Sequence, residues 1–576
     1  MTEAAASAPP SLDLPSAVVR YRRLLLAIAG MGGVLYGFDL GIIAAALLYL
    51  DKTIELSAQQ TSNIVAALLF GGIFSALLTG LFSDLLGRRL IIRISALLFL
   101  ISVPVIVSAD GFYTLAAGRL LQGFSTGMMI VVIPLYLAEC LPAAARGRGM
   151  AIFQLMLNVG ILFGNGVGAL LTTHVEAVAK DSAVSAHDLL VVQDHAWRWM
   201  FSTAALPGCL FLAGALFLSE SPRWLARRGR EAEARAALLR SRTLEECQSE
   251  LATMAAVGAS CATGATPSGS LWQRRYLLPF LITVAVLGLN QATGINSMIS
   301  YGVMILHQAG MSNTVAAYAG MAIPFCLVIF TAPAVVLVER LGRKPLLKLG
   351  TAGVILAMML GAALFFWSES QSTEVTESVR AAVTSEGLSL PVASVDGAPT
   401  RLAVLVDTGS GARLLSAIST DKDPVLEVKA PAAPASLKIL RATRGPVPSP
   451  VVSWGVLLAT LLYIAAYAFG PGVCVWLVLT ELMPTRIRST GMGIALVCNQ
   501  GIATFIAAAF LPVVTSHGYG VMLAAWGGCT VFYFLVAAFI LPETKGRSLE
   551  GMQVLWGRPP SPLAVAPAAA NVVELR

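Results

Sequence analysis

One ordered pair of charged patterns occurs twice in this chain. Asp84-Leu-Leu-Gly87-Arg88-Arg89 is followed by Glu139-Cys-Leu-Pro142-Ala-Ala-Ala-Arg146. Further on, Glu339-Arg-Leu-Gly342-Arg343-Lys344 is followed by Glu481-Leu-Met-Pro484-Thr-Arg-Ile-Arg488. Every copy stands where a long apolar run ends. Two ordered coincidences are hard to obtain by chance, so the chain reads as two copies of one unit, and a repeat of this kind fixes the architecture before any local detail does.

The apolar runs say where the two copies reside. Of 576 residues, 56% are hydrophobic and 12% are charged, too little charge to cover the surface of a water-soluble protein of this length. Roughly twelve runs between Leu24 and Leu541 approach the ~20 residues needed to cross a bilayer as a helix. Inside lipid the backbone must satisfy its own polar groups, so these runs are helices. Two halves of six spans are the layout of a secondary transporter.

The net charge of +7 does not point to nucleic acid. Its basic residues gather in alternate connections, among them Arg20 to Arg23, Arg88 to Arg93, Arg223 to Arg275, Arg340 to Lys348 and Lys545 to Arg547. The positive-inside rule then places both termini in the cytoplasm. Eight cysteines show no metal-ligand spacing and read as small apolar residues, so neither a metal nor a cofactor is expected. The lack of an N-x-S/T sequon is consistent with a bacterial inner membrane.

In chain order, 1–22 reads as a cytoplasmic tail, 23–218 as a six-helix bundle and 219–275 as a cytoplasmic helical linker. Residues 276–367 hold helices 7 to 9, 451–541 helices 10 to 12, and 542–576 a cytoplasmic tail. A polar outside loop is expected over 172–194, with the sixth span over 197–218. The seventh span is interrupted by Asn290-Gln291-Ala-Thr-Gly294-Ile-Asn296, where amides and a glycine suit a helix that breaks beside a cavity. Residues 368–450 are polar. Asp84 and Glu139 are 55 positions apart, whereas Glu339 and Glu481 are 142 apart. An insertion between helices 9 and 10 explains the excess. Its runs Leu402–Val406 and Pro424–Val428, bounded by turn residues, suit strands, so a small β-rich periplasmic module is expected there, with a loop as the alternative.

Together the motifs resemble the sugar porter family of the major facilitator superfamily. The residues that carry the likeness are Gly80-x3-Asp84-x2-Gly87-Arg88-Arg89, Pro134-x-Tyr136-x2-Glu139-x2-Pro142-x3-Arg146-Gly147, Glu220-Ser-Pro-Arg223, Gln291-x2-Gly294-Ile-Asn296, Gly470-Pro-Gly-x3-Trp476 and Pro542-Glu-Thr-Lys-Gly-Arg547. The resemblance implies an all-α membrane protein of twelve helices in two pseudo-symmetric bundles, probing a central site by alternating access, and no enzyme activity.

It also implies roles. Asp84, Arg88, Arg89, Glu139, Arg146, Glu220, Arg223, Glu339, Arg343, Glu481, Arg488 and Glu543 would form a cytoplasmic gate, pairing between the halves. Asp39, an acid in the middle of span 1, costs about 2.5–3.5 kcal/mol to insert and would accept a proton with Arg119 as partner. A permanent structural ion pair is the plainer alternative. Gln154, Gln291, Asn296, Trp476 and Asn499 would bind the substrate, with Tyr36 and Tyr301 as wall or gate. Amides and an aromatic face suit a neutral polyhydroxyl ligand. The chain departs from the family at Asn290, Leu327 and Gln500, and carries Ala204 where some coupled relatives have an extra acid. The expected function is proton-coupled import of a monosaccharide by a monomer, with sugar and proton as its partners in the lipid. The alternatives are a facilitative sugar or polyol uniporter and a sugar sensor that uses the insertion.

Overall fold

The computed structural model describes residues 15–545, apart from 182–183, 263–273, 385–386, 396–398, 408–410, 420–424, 430–436 and 484–487. The expected tails over 1–14 and 546–576, and the glycine-rich part of the linker over 263–273, lie outside the described residues.

Among the described residues, twelve helices are long and apolar enough to cross a membrane. They carry many exposed large apolar side chains, such as Leu81, Leu206, Leu210, Leu356, Phe505 and Phe539. Apolar surface on that scale is stable against lipid and not against water. The chain is an integral, multi-pass membrane protein.

The first compact unit comprises residues 1–53 and 70–266. Its helices are α1 (Ser16–Thr53), α2 (Ala58–Leu86), α3 (Arg88–Val107), α4 (Phe112–Cys140), α5 (Ala143–Ala179), α6 (Ala186–Ser202) and α7 (Ala205–Leu216), then the short linker helices α8 (Pro222–Arg227), α9 (Glu231–Leu239) and α10 (Leu244–Ala262). The N-terminal turns of α2 belong with the second unit, which holds residues 54–69 and 267–576.

Helix α1 is the axis of this unit, and glycines let it be so. Gly33, Gly37 and Gly41 on α1 face the backbone of Phe153, Leu157 and Ile161 on α5, while Gly160 and Gly164 on α5 face Val34 and Phe38 in return. Small residues four apart let two helix backbones touch, and contact of that kind holds helices together where no hydrophobic effect separates helix from lipid.

Several boundaries differ from the sequence expectation. Helix α1 begins at Ser16 rather than after 22. Its basic first turns are held by the linker, where Arg22 donates to Ser241 O at 2.6 Å and pairs with Glu246 at 2.9 Å, and Arg240 lies 4.2 Å over the Tyr21 ring. The polar stretch expected as a loop over 172–194 is mostly helix. Helix α5 runs to Ala179, and α6 starts at Ala186 behind Ser185, whose hydroxyl accepts from Asp188 N. Polar residues here extend a helix already nucleated inside the apolar span.

The second unit contains α11 (Arg274–Ala292), α12 (Ile295–Gln308), α13 (Asn313–Leu341) and α14 (Arg343–Ser370). The insertion follows, with β1 (Thr373–Glu374), α15 (Thr376–Ala381), β2 (Gly387–Pro391), β3 (Thr400–Asp407), β4 (Ala412–Ile418), β5 (Val425–Lys429) and β6 (Lys438–Pro446). Helices α16 (Pro450–Phe469), α17 (Pro471–Leu482), α18 (Arg488–His517) and α19 (Tyr519–Leu535) complete the unit.

The insertion is therefore a β-module and not a loop. One antiparallel sheet has the order β1-β6-β3-β4 and a second pairs β2 with β5. Strand β3 alternates as a half-buried strand should. Leu402, Val404 and Val406 enter the module's core with Val379, Leu388 and Leu426, and Arg401, Ala403 and Leu405 take the other face. The sheet is bolted to the spans through arginines. Arg401 donates to the carbonyl of Gln308 at 3.3 Å and Arg441 to that of Ser516 at 3.3 Å, the last turns of α12 and α18. A cation there complements the helix dipole and satisfies carbonyls the helix itself leaves open.

The α1–α5 contact yields a test. A Cβ on Gly37 would lie 1.8 Å from Leu157 O, whereas one on Gly80 meets nothing within 4 Å. Gly37→Ala is expected to cost about 1–3 kcal/mol or more, seen as a lower melting temperature and yield in detergent, with Gly80→Ala close to wild type. Equal melting temperatures would contradict the close approach.

Candidate functional site

The duplicated motifs build the same structure twice. In the first unit Gly87 (φ +94°) ends the α2–α3 turn, and Arg88 at the start of α3 turns back. Its guanidinium reaches Asp84 Oδ1 at 2.7 Å and Glu139 Oε2 at 2.9 Å, and donates to Ser83 O at 2.8 Å. Glu220 accepts from the backbone N–H groups of Arg88 at 2.8 Å and Arg89 at 3.2 Å. Ser221 Oγ donates to Glu139.

In the second unit Gly342 (φ +96°) takes the place of Gly87. Arg343 reaches Glu339 at 3.2 Å and Glu481 at 2.8 Å and donates to Val338 O at 3.2 Å. Glu543 accepts from Arg343 N and Lys344 N, both at 3.0 Å, and Thr544 Oγ1 donates to Glu481 at 2.5 Å. The glycines do more than turn the chain. A Cβ on Gly87 would lie 2.4 Å from Glu220 Oε2, and one on Gly342 would lie 2.8 Å from Glu543 Oε2. Each carboxylate thus sits on exposed helix-start N–H groups, a favourable place for an anion.

Pairing between the halves was the expectation for these residues. The ion pairs described for them lie inside each unit, because the i,i+4 spacing and the helix-start position aim Arg88 and Arg343 at their own neighbours. Arg223 pairs with Glu250 at 2.9 Å, also within its unit. Arg89 meets Glu220 through its backbone. The side chains of Arg146 and Arg488 lie outside the described residues. The Ser221 and Thr544 hydroxyls were missed, although Glu220-Ser221 and Glu543-Thr544 repeat in the sequence.

A second polar group is buried in the first unit. Asp39 and Arg119 are both fully buried, and Arg119 Nη1 donates to Asp39 Oδ1. The same nitrogen donates to Gln122 Oε1 at 2.8 Å, and the guanidinium lies 5.6 Å over the Phe201 ring. Among the described residues Asp39 Oδ2 and Arg119 Nε and Nη2 have no hydrogen-bond partner. Gln122 was not foreseen; its position one turn after Arg119 was the available signal. Tyr36, one turn before Asp39, is partly buried, and Gln154 on α5 is exposed.

The third group lies in the second unit, where the seventh span breaks as expected. Helix α11 ends at Ala292, Gly294 is left-handed at φ +84°, and α12 begins at Ile295. The Trp526 ring occupies the place a Cβ on Gly294 would need, 2.3 Å from Cδ2. Around the break three expected residues come together. Gln291 Nε2 donates to Asn499 Oδ1 at 3.2 Å, and Asn296 Nδ2 donates to Gln291 Oε1 at 3.0 Å. Asn499 Nδ2 donates to Leu287 O at 2.9 Å. Asn290 Nδ2 donates to the Tyr467 hydroxyl at 3.1 Å, and Tyr463 donates to Thr293 O at 3.2 Å. Trp476 is 47% exposed.

Tyr301 is fully buried, its ring stacked on Phe510 at 4.1 Å. Pro512 has no N–H to offer, so the carbonyl of Ala508 one turn back lacks its helical donor. Gln59 Nε2 supplies one at 3.2 Å, while Leu511 N donates to Ser62 Oγ at 3.0 Å and the Tyr301 hydroxyl to Ala507 O at 3.3 Å.

The profile of the sugar (and other) transporter family matches residues 25–384 and 436–556. The chain belongs to that family. Between those two stretches the match skips 385–435, which lies wholly within the β-module of this transporter. It is similar to facilitated glucose transporter member 12 of Danio rerio, 29% identical over 91% of this chain and 86% of the relative. It is also similar to the arabinose-proton symporter of Bacillus subtilis, 25% identical over 92% of this chain and 94% of that one. The inward-open, partially occluded xylose transporter XylE from E. coli superposes with a TM-score of 0.65 at 21% identity, over 92% and 100% of the two chains. The fold is that of the major facilitator superfamily, and the protein is a transporter and not an enzyme.

The Glu543 carboxyl gives a pH test. Burial by itself raises it, but the N–H groups of Lys545, Arg343, Lys344 and Thr544 outweigh burial and hold it below the ordinary glutamate range. A carboxyl lowered on folding stabilises above its unfolded value of about 4.3 and loses that contribution as pH falls through the folded value. The melting-temperature advantage of wild type over Glu543→Gln should therefore shrink from about pH 6 to about pH 3. A constant difference would show that the charge contributes nothing.

Proposed function

We propose that this sugar-family transporter imports a neutral monosaccharide together with a proton, with both termini in the cytoplasm. Asp39 carries the proton and Arg119 is its counter-ion. The observation that supports this reading is a fully buried acid with one carboxylate oxygen paired to arginine and the other without a partner among the described residues. An acid inside a membrane span is by default functional. Protonation would loosen its hold on Arg119, and that change at a two-state element is what couples proton to conformation.

The substrate is held by Gln291, Asn296 and Asn499, whose amides already orient one another beside the Gly294 break. Trp476 and Tyr301 of the same unit complete the wall. Amides offer both donors and acceptors, as sugar hydroxyls require. The charged clusters of Arg88 and Arg343 are the gate. Each locks the ends of its own unit's helices, and a change of state must disturb it. A facilitative uniporter is the second reading. It is favoured by the direct Arg119–Asp39 hydrogen bond, which suits a permanent pair, and by the resemblance to a facilitated glucose transporter.

Energy-depleted cells expressing the protein, given a panel of sugars while external pH is recorded, decide between the two. The medium should turn alkaline with a transported sugar, and Asp39→Asn should abolish the change. Uptake of labelled sugar without a pH change would leave the uniporter. Gln291→Ala should raise the KM for uptake about tenfold or more, by the loss of one or two hydrogen bonds to substrate. An unchanged KM would remove Gln291 from the site.

A further inference from the structure

Between the β-module and the ends of α12, α14, α18 and α19 lies a cavity of about 370 Å³. All its lining belongs to the second unit. Its roof is the outward face of the four-stranded sheet, where Arg401, Ala403 and Leu405 on β3 alternate with residues that enter the module's core. Ala403 is paired with Thr443, and Leu405 with Arg441. One wall is the stacked pair Phe365 and Tyr519, ring centroids 5.3 Å apart.

The polar groups here are only partly used. Arg401 spends its two terminal nitrogens on Gln308, while its Nε is buried with no partner among the described residues. Glu369 Oε1 accepts from Tyr519 N at 2.9 Å, and Glu374 Oε1 accepts from the Thr376 hydroxyl at 2.8 Å. A buried guanidinium nitrogen without an acceptor is costly unless something fills the space beside it.

The charge pattern selects the chemistry. Arg401 and Arg441 are matched by Glu369 and Glu374 in the same lining, so an anion would gain from one pair and lose to the other. A neutral polyhydroxyl ligand uses both, taking donors from the arginines and giving its own hydroxyls to the carboxylates. The aromatic wall suits the C–H face of a sugar ring, and the volume is at the low end of the range for small-molecule sites. We propose that this cavity is a second binding site, for a neutral polyhydroxyl ligand of monosaccharide size, separate from the Gln291–Asn296–Asn499 cluster. Arg401, Ala403, Leu405 and Leu414 lie in the stretch that the family profile skips, so this part of the lining lies outside what the profile describes.

The test is equilibrium binding to the purified full-length protein in detergent, with D-glucose, D-xylose, D-galactose, myo-inositol and inorganic phosphate as probes. Ala403→Trp fills the cavity from its roof, and Thr443→Val removes one hydroxyl at nearly constant volume. Both are checked for an unchanged melting temperature. At least one of the four polyols should bind wild type in two equivalents. Ala403→Trp should leave one, and Thr443→Val should weaken one of the two about fivefold, the loss of roughly one hydrogen bond. Gln291→Ala should remove the other equivalent and spare this one. A single equivalent that is lost in Gln291→Ala and untouched by both cavity variants overturns the proposal while keeping the central site. A single equivalent lost only in the cavity variants supports it and overturns the central assignment instead. Binding of phosphate but no polyol at the cavity, or no binding by any probe, also overturns it.

Discussion

Everything in this protein follows from the shortage of water along its spans. A backbone or charged group inside a bilayer must find its partner within the protein. The duplicated clusters are the clearest response. At the start of α3 and again at the start of α14, free N–H groups receive a glutamate from a distant part of the chain, Glu220 or Glu543. The arginine beside them ties the end of the preceding helix to Glu139 or Glu481. Removing one partner of the buried Arg88–Glu139 pair leaves an uncompensated charge, at about 3–5 kcal/mol. Each cluster therefore ties helix ends of its own unit together.

The same rule explains the interior. Asp39 is tolerated in mid-span because Arg119 meets it, and Arg119 because Gln122 and the Phe201 ring meet it in turn. The break at Gly294 frees backbone groups, and tyrosines and amides collect there to answer them. Pro512 frees a carbonyl in α18, and Gln59 takes it up. Polar groups are concentrated where helices fail to be regular, and those are the places where a polar substrate can be recognised. The β-module obeys the rule from outside the spans, with arginines that close the carbonyl ends of α12 and α18.

The repeated patterns made the two-unit plan legible in the sequence, and the apolar runs made the twelve spans and the membrane setting so. The glycine and amides over 290–296 located the helix break, and the spacing mismatch between the halves located the insertion. The alternating run from Leu402 to Val406 marked a strand. Partners were harder to see. The partners that the structure gives Arg88 and Arg343 lie within their own units, Asp84 and Glu139 for one and Glu339 and Glu481 for the other, because a helix start and an i,i+4 neighbour stand beside each guanidinium.

The sequence by itself determined what depends on periodicity and local chemistry: the spans, the repeat, the buried acid, the break and the presence of strands. Only the tertiary structure decided which groups meet. Ser221 on Glu139, Thr544 on Glu481, Trp526 under Gly294, Gln122 beside Arg119 and the cavity beneath the β-sheet all join residues distant in the chain or on separate elements, or depend on side-chain direction. Hydrophobic patterning sets where an element lies and which face it buries. The pairing of polar groups between separate elements is set by packing at ångström scale, and spacing along the chain does not encode that.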